Sequence, residues 1–321
     1  MPPRKRIFFQ EVGLRDGIQV EAKPVPTERK IKWVNELLGT GIDQIQLGSF
    51  VRADKVPQMA DTEELFKYFK GQGGKPGTAE LSALVLNEKG LERGLNCGVE
   101  VFCMGSSASD THSRENTGMG ADEAADRVAA MIKETLKAGK KVRASVQSSF
   151  GCGYEGPISE EKVLAIVKKY LEAGARNVGL SDTAGHANPL QVGKMFTAVA
   201  ALDPTAELSC HFHNAYALGL TNCCFALAAG VTYFETSIGG LGGCPFIERP
   251  SGNVCTEDLV HTFQRMGIRK DVNLDAIISV ARDAADFFGR ELPGIIMKTG
   301  SIVDFPPKAD PPGSLAGKGT K

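Results

Sequence analysis

Motif spacing is what the cysteines of this chain lack. Eight occur in 321 residues, but none forms C-x-x-C, Cys223 and Cys224 are adjacent, and most others stand in apolar strand-like or helix-like surroundings. A disulfide framework and a thiolate zinc site are therefore not indicated, and the cysteines read as reduced thiols. Excess charge is lacking too. Lys and Arg number 37 against 38 Asp and Glu, a net charge of −1, with no basic stripe, which argues against a nucleic-acid partner. No apolar run approaches the roughly 18 residues that a membrane span needs. Met1 to Phe9 has a basic start but neither a long apolar region nor a cleavage signal, so a cytoplasmic protein without a membrane partner is expected.

Against these absences, 42% of the residues are hydrophobic, enough for a sizeable core, and they are regularly arranged. Apolar runs of strand length fall at Ile7 to Val12, Asp43 to Leu47, Leu81 to Leu86, Val99 to Met104, Lys141 to Val146, Asn177 to Leu180, Glu207 to His211 and Thr232 to Glu235. Amphipathic stretches separate them. In Thr27 to Leu38, Thr27 can cap the helix while Ile31, Val34, Leu37 and Leu38 form one face. Others are Ala121 to Ala138, Glu160 to Ala173, Pro189 to Ala201 and Leu218 to Ala229. A small residue and Gly close these units repeatedly, as in Thr40-Gly41, Ala138-Gly139, Ala173-Gly174 and Ala229-Gly230, which suits a left-handed C-cap.

Eight β/α units predict a (β/α)8 TIM barrel with its active site at the C-terminal ends of the strands. An open doubly wound sheet is the alternative, but the phosphate fingerprint it often carries after its first strand is missing. Thr256 to Met266 completes the last unit, and Leu274 to Phe288 adds an extra C-terminal helix that could support a homodimer. One catalytic domain is expected over residues 1–304, and the Pro/Gly-rich tail, 305–321, is expected to be disordered.

Polar groups collect just past the strand ends. Arg15-Asp16-Gly17 follows strand one, Asp182 strand six, and Asn253 strand eight, while His211 and His213 share one side of strand seven because side chains alternate along extended backbone. One or two carboxylates, two imidazoles and an amide oxygen make a mixed oxygen and nitrogen set that suits Mg²⁺ or Mn²⁺ better than zinc. A carboxylate can also merely cap a helix. The run Gly239 to Gly243, ahead of Cys244 and Pro245, reads as a loop carrying an accessible thiol, or as a plain linker.

Five stretches together resemble 3-hydroxy-3-methylglutaryl-CoA lyases: Glu11 to Gln19; Ser49-Phe50-Val51 with Val56 to Met59; Phe150 to Gly156; His211 with His213; and Gly240-Leu241-Gly242-Gly243-Cys244-Pro245. The resemblance runs from about Phe9 to Phe288. It implies a metal-dependent retro-aldol cleavage of a 3-hydroxyacyl-CoA to acetyl-CoA and a ketone or oxo acid. By position it places metal ligands on Asp16, His211, His213 and Asn253, the cation that stabilises the enolate on Arg15, a mobile-loop thiol on Cys244 and an acid/base carboxylate on Asp182. Gln19, Arg143, Ser145 and Ser181 fall where substrate is expected. One departure is plain: Gln46 stands where these lyases carry a catalytic Glu, and Gln cannot shuttle a proton although it can orient an alcohol. Ser145, where many carry an aromatic, implies a larger or more polar acyl pocket. A related barrel aldolase, a condensing synthase and an inactive metal-binding homologue are the other readings.

Overall fold

The computed structural model describes residues 5–73, 75, 78–243 and 252–302. Eight parallel strands, β1 (Phe8–Glu11), β2 (Gln44–Ser49), β3 (Glu80–Leu84), β4 (Val101–Ser107), β5 (Lys141–Gln147), β6 (Asn177–Asp182), β7 (Glu207–Phe212) and β8 (Tyr233–Thr236), close into a barrel in sequence order. Closure runs through β1 and β8, where Phe8 pairs with Tyr233 and Glu11 with Thr236. The (β/α)8 expectation is met. The outer ring contains α1 (Thr27–Leu38), α2 (Thr62–Tyr68), α3 (Glu88–Cys97), α4 (Asp110–Thr117), α5 (Ala121–Lys137), α6 (Glu160–Glu172), α7 (Pro189–Leu202), α8 (Gly219–Ala228), α9 (Thr256–Arg265), α10 (Leu274–Phe288) and the short α11 (Ile296–Thr299). None of the helices among the described residues is long and apolar enough to cross a membrane.

Strand parity divides the molecule into an apolar shell and a polar lumen. Phe9 packs on Phe263 of α9, with ring centroids 5.8 Å apart, so Phe9 and Glu11 face the helices while Phe8 and Gln10 face inward. Inward positions on neighbouring strands are Gln44, Gln46, Ser82, Cys103, Arg143, Ser145, Asn177, Ser209 and His211, by register with these and with one another. Barrel interiors are usually filled by Val, Ile and Leu. Here the stabilising apolar burial lies between strands and helices, leaving the lumen for chemistry.

The extra helix α10 is fastened to α1 by one carboxylate. Asp283 accepts from Arg29 Nη1 at 2.9 and 3.0 Å, Lys32 Nζ at 2.6 Å and Trp33 Nε1 at 2.6 Å. The apolar face of α10 (Leu274, Ile277, Ile278, Val280, Ala281 and Ala284) is buried within the chain. Trp33 is fully buried, so Asp283→Ala strands its indole N–H. We expect a loss of about 1 to 3 kcal/mol in unfolding free energy, read by urea denaturation, with little effect on the distant site. The expected disordered tail, residues 305–321, lies outside the described residues.

Candidate active site

The first donor is set by an unusual turn. After β1 the chain makes one π-helical turn, Gly13–Gly17, in which Val12 O accepts from the amides of Arg15, Asp16 and Gly17 at 3.0, 2.8 and 3.2 Å. Such turns are rare and often sit at functional sites. Glycine is required at its end, because a Cβ on Gly17 would lie 2.7 Å from Ser237 Oγ and 3.0 Å from Leu241 Cβ. The turn delivers Arg15 and Asp16 side by side at the C-terminal mouth. Arg15 Nη1 pairs with Asp16 Oδ1, and Arg15 Nε donates to Gln46 Oε1.

The end of β7 and the residue just after it supply the imidazoles. His211 Nε2 and His213 Nε2 lie 3.8 and 3.7 Å from Asp16 Oδ2, and one ligand atom from each of the three residues fits within a 4.8 Å set. Donors sit about 2.1 Å from magnesium, so two on one ion are about 3 Å apart when adjacent and about 4.2 Å when opposite. The observed gaps lie between these two spacings, close enough for the three side chains to converge on one cation. Asn253 joins them through a backbone bridge to His213. Its Nδ2 donates to Asp16 Oδ2 at 2.9 Å and to Leu241 O at 3.0 Å, while its buried Oδ1 has no hydrogen-bond partner among the described residues. A buried acceptor left unmatched is costly, and a cation would satisfy it. The residues present fit a divalent ion with oxygen and nitrogen donors.

The electrostatics agree. Burial opposes ionisation of Asp16, yet Arg15 and the two imidazoles outweigh it and hold the carboxyl well below its usual range. Burial also opposes charge on His211, but Glu235 and Asp16 raise its pKa overall. Glu235 was not anticipated from the sequence. Its Oε2 lies 3.0 Å from His211 Nδ1, fixing the ring so that Nε2 faces Asp16. Such carboxylate–histidine pairs orient metal-binding imidazoles and increase their basicity. The available signal was parity, since Glu235 lies two residues beyond Tyr233 on the inward face of β8. We expect Glu235→Gln to weaken Mn²⁺ binding about 10- to 100-fold, as measured by calorimetric titration.

A cavity of about 640 Å³ opens over these groups, lined by Arg15, Asp16, Gln19, Gln46, Cys103, Ser145, Ser181, His211, His213 and Glu235, with Arg52, Lys55 and Arg127 also in its wall. Gln19, Ser145, Ser181 and Gln46 are thus in the wall of this cavity. Arg143 is not. It lines a separate cavity of about 720 Å³ with Glu80, Glu207 and Tyr233, its guanidinium 4.3 Å from the Tyr233 ring centroid and 3.8 Å from Glu80 Oε2. It points inward like Ser145 but lies two residues nearer the N-terminal end of β5, beside Glu80 and Tyr233 and outside the wall of the site cavity.

Asp182 also departs from its expected role. Ser181 faces the cavity, so Asp182 is turned the other way by parity. It is fully buried, with Oδ1 and Oδ2 accepting from the amides of His186 and Ala187 at 2.9 and 3.0 Å. Burial raises its pKa against those bonds. It caps the loop after β6 and is not in the cavity wall. Cys244 lies outside the described residues. The glycines leading to it are closely packed and do not behave as a linker: Gly242 has φ 118°, and a Cβ there would sit 2.6 Å from Asn253 Nδ2.

The family model described as HMGL-like matches residues 6–284. The chain belongs to the HMGL-like family. Among HMGL-like relatives, the hydroxymethylglutaryl-CoA lyase YngG of Bacillus subtilis is 36% identical over 293 residues, 91% of this chain and 97% of that protein. The crystal structure of the B. subtilis HMG-CoA lyase superposes with a TM-score of 0.88 at 35% identity, covering 93% of this chain and 99% of that one. An HMG-CoA lyase from Acinetobacter baumannii, solved in complex with coenzyme A and 3-methylmalate, superposes with a TM-score of 0.85 at 36% identity, covering 94% and 97%.

Proposed function

We propose that this chain is a divalent-metal-dependent carbon–carbon lyase that cleaves a 3-hydroxy-3-methylglutaryl-CoA-like 3-hydroxyacyl-CoA to acetyl-CoA and a ketone or oxo acid. The observation that carries the proposal is the meeting of Asp16, His211 and His213 beside the unmatched Asn253 Oδ1, with Arg15 at the same mouth. Bound by these four residues, Mg²⁺ or Mn²⁺ would acidify the substrate's C3 hydroxyl and polarise the carbonyl that forms from it.

The chain's own groups account for the rest. The C3 hydroxyl loses its proton, the C2–C3 bond breaks, and the electron pair moves onto the thioester as an enolate that takes a proton at C2. Arg15 directs fixed donors at the thioester oxygen, where that charge develops. Gln46 accepts from Arg15 Nε and so holds the guanidinium plane, but it cannot take the hydroxyl proton. Asp182 is capped outside the cavity wall, which leaves a group lining the cavity, or water, as the acceptor. The resemblance assigns delivery of the C2 proton to Cys244. Arg52, Lys55 and Arg127 in the cavity wall match the phosphates of coenzyme A in charge.

The test is a panel of 3-hydroxyacyl-CoA thioesters incubated with Mn²⁺ or Mg²⁺ and assayed for acetyl-CoA. Release from at least one member, abolished by a chelator and restored by the metal, is expected. If no member turns over in either metal, the proposal fails.

A further inference from the structure

The two oxygen donors, Asp16 and Asn253, belong to segments more than 200 residues apart in sequence, and one buried side chain touches both segments. Glu11, at the end of β1, is wholly buried on the helix side of the barrel. Its Oε1 accepts from Gly13 N at 2.6 Å, inside the turn that carries Arg15 and Asp16, and from Ile238 N at 3.1 Å, at the head of the glycine-rich segment. Its Oε2 accepts from Thr256 Oγ1 at 2.6 Å, three residues beyond Asn253, and that hydroxyl also pairs with Thr236 Oγ1 at 2.9 Å. Backbone bonds already tie the Asn253 strand to its other neighbours. Val254 N donates to Phe212 O at 3.1 Å and Ser237 N to Val254 O at 3.0 Å. The two segments meet directly in the Asn253 Nδ2 to Asp16 Oδ2 bond, and Glu11 braces both of them from the helix side of the barrel.

Resting on the metal-binding reading above, we infer that Glu11 is a positioning residue: by clasping Gly13, Ile238 and Thr256 it holds Asp16 and Asn253 in the register at which one ion can reach both. The clasp is made of hydrogen-bond donors. Burial accordingly pushes its pKa up to about 7 against these bonds, and the nearby Glu257, which accepts from Gly239 N at 3.1 Å, is a second buried carboxylate on the same segment. Close fit makes the arrangement unforgiving, since a Cβ on Gly13 would fall 2.5 Å from Glu11 Oε1. The metal donors themselves do not touch Glu11, so its effect has to travel through backbone position.

The experiment titrates Mn²⁺ calorimetrically into the wild-type chain, Glu11→Ala, Glu11→Gln and Thr256→Val, with thermal midpoints measured in chelator. Glu11→Ala should weaken Mn²⁺ binding at least about 10-fold, the scale of losses for groups that orient metal ligands. Glu11→Gln keeps a carbonyl oxygen for Gly13 and Ile238 and an amide for the Thr256 hydroxyl, and should stay within about threefold of wild type. Unchanged affinity in Glu11→Ala with only a lower midpoint would make Glu11 a purely structural residue and overturn the inference. So would a Gln variant as weak as Ala. Where Glu11→Ala does not fold, Thr256→Val decides: a loss of about threefold or more supports the clasp, and wild-type affinity defeats it. No Mn²⁺ binding by the wild-type chain would instead overturn the metal reading itself.

Discussion

Asp16→Asn should abolish both metal binding and turnover while leaving the barrel folded. Asparagine keeps the shape and an oxygen, but removes the only negative charge among the four proposed ligands. The ion then faces two neutral imidazoles, two amide oxygens and the positive charge of Arg15, whose partner Asp16 was. A bound cation and its anionic donor supply several kcal/mol of charge stabilisation to the reaction, so kcat/KM should fall by about 10³-fold or more. Two measurements separate this from misfolding. Saturating Mn²⁺ should raise the wild-type thermal midpoint, since a ligand present at about 100 times its Kd adds about 2.7 kcal/mol to folding stability, and it should leave the Asn variant unmoved. In chelator the two midpoints should be close. A variant that still gains stability from Mn²⁺ would show that Asp16 is not a ligand.

The sequence carried the period of the elements and the residue types at their ends, and these suffice for much of the site. His211 and His213 two apart on a strand must share a side, and Arg15-Asp16 at a strand-to-loop corner must sit at a barrel mouth once eight β/α units are counted. Both inferences are local, and the structure brings those residues together. What failed depended on quantities that residue patterns do not state. Arg143 was placed through the resemblance, yet which cavity it lines depends on where β5 begins relative to its neighbours, and Ser145 rather than Arg143 lines the site cavity. Asp182 was placed at a strand end that was drawn two residues short: with β6 running on to Asp182, inward Ser181 forces Asp182 outward. Glu235 went unnoticed because a single carboxylate in a short strand has no motif, although the same parity argument would have found it. Glu11 shows the limit most clearly, since its partners at 238 and 256 are brought to it only by closure of the whole barrel.

Arg15→Ala should cost about 10²- to 10³-fold in kcat, or about 3 to 4 kcal/mol, because removing one preorganised donor from a developing oxyanion has that effect in a water-excluded site. KM should change less, since the thioester oxygen gains its full charge only as the C2–C3 bond breaks. Mn²⁺ affinity should hold or rise slightly, because the guanidinium that now competes for Asp16 Oδ1 is gone. That split distinguishes Arg15 from the metal ligands, which lose affinity and rate together. Arg15→Lys tests geometry against charge: an ammonium keeps the charge but cannot donate to Gln46 Oε1 and to the thioester oxygen from one fixed plane, so it should recover only part of the loss. Gln46 supplies the last arm. Gln46→Glu would turn its bond with Arg15 into an ion pair and add a proton acceptor beside the C3 hydroxyl. If Gln46 serves mainly to hold Arg15, Gln46→Glu leaves the rate within about an order of magnitude of wild type. A silent wild-type chain that gains strong activity from the Gln46→Glu substitution would instead identify the natural sequence as an inactive metal-binding homologue.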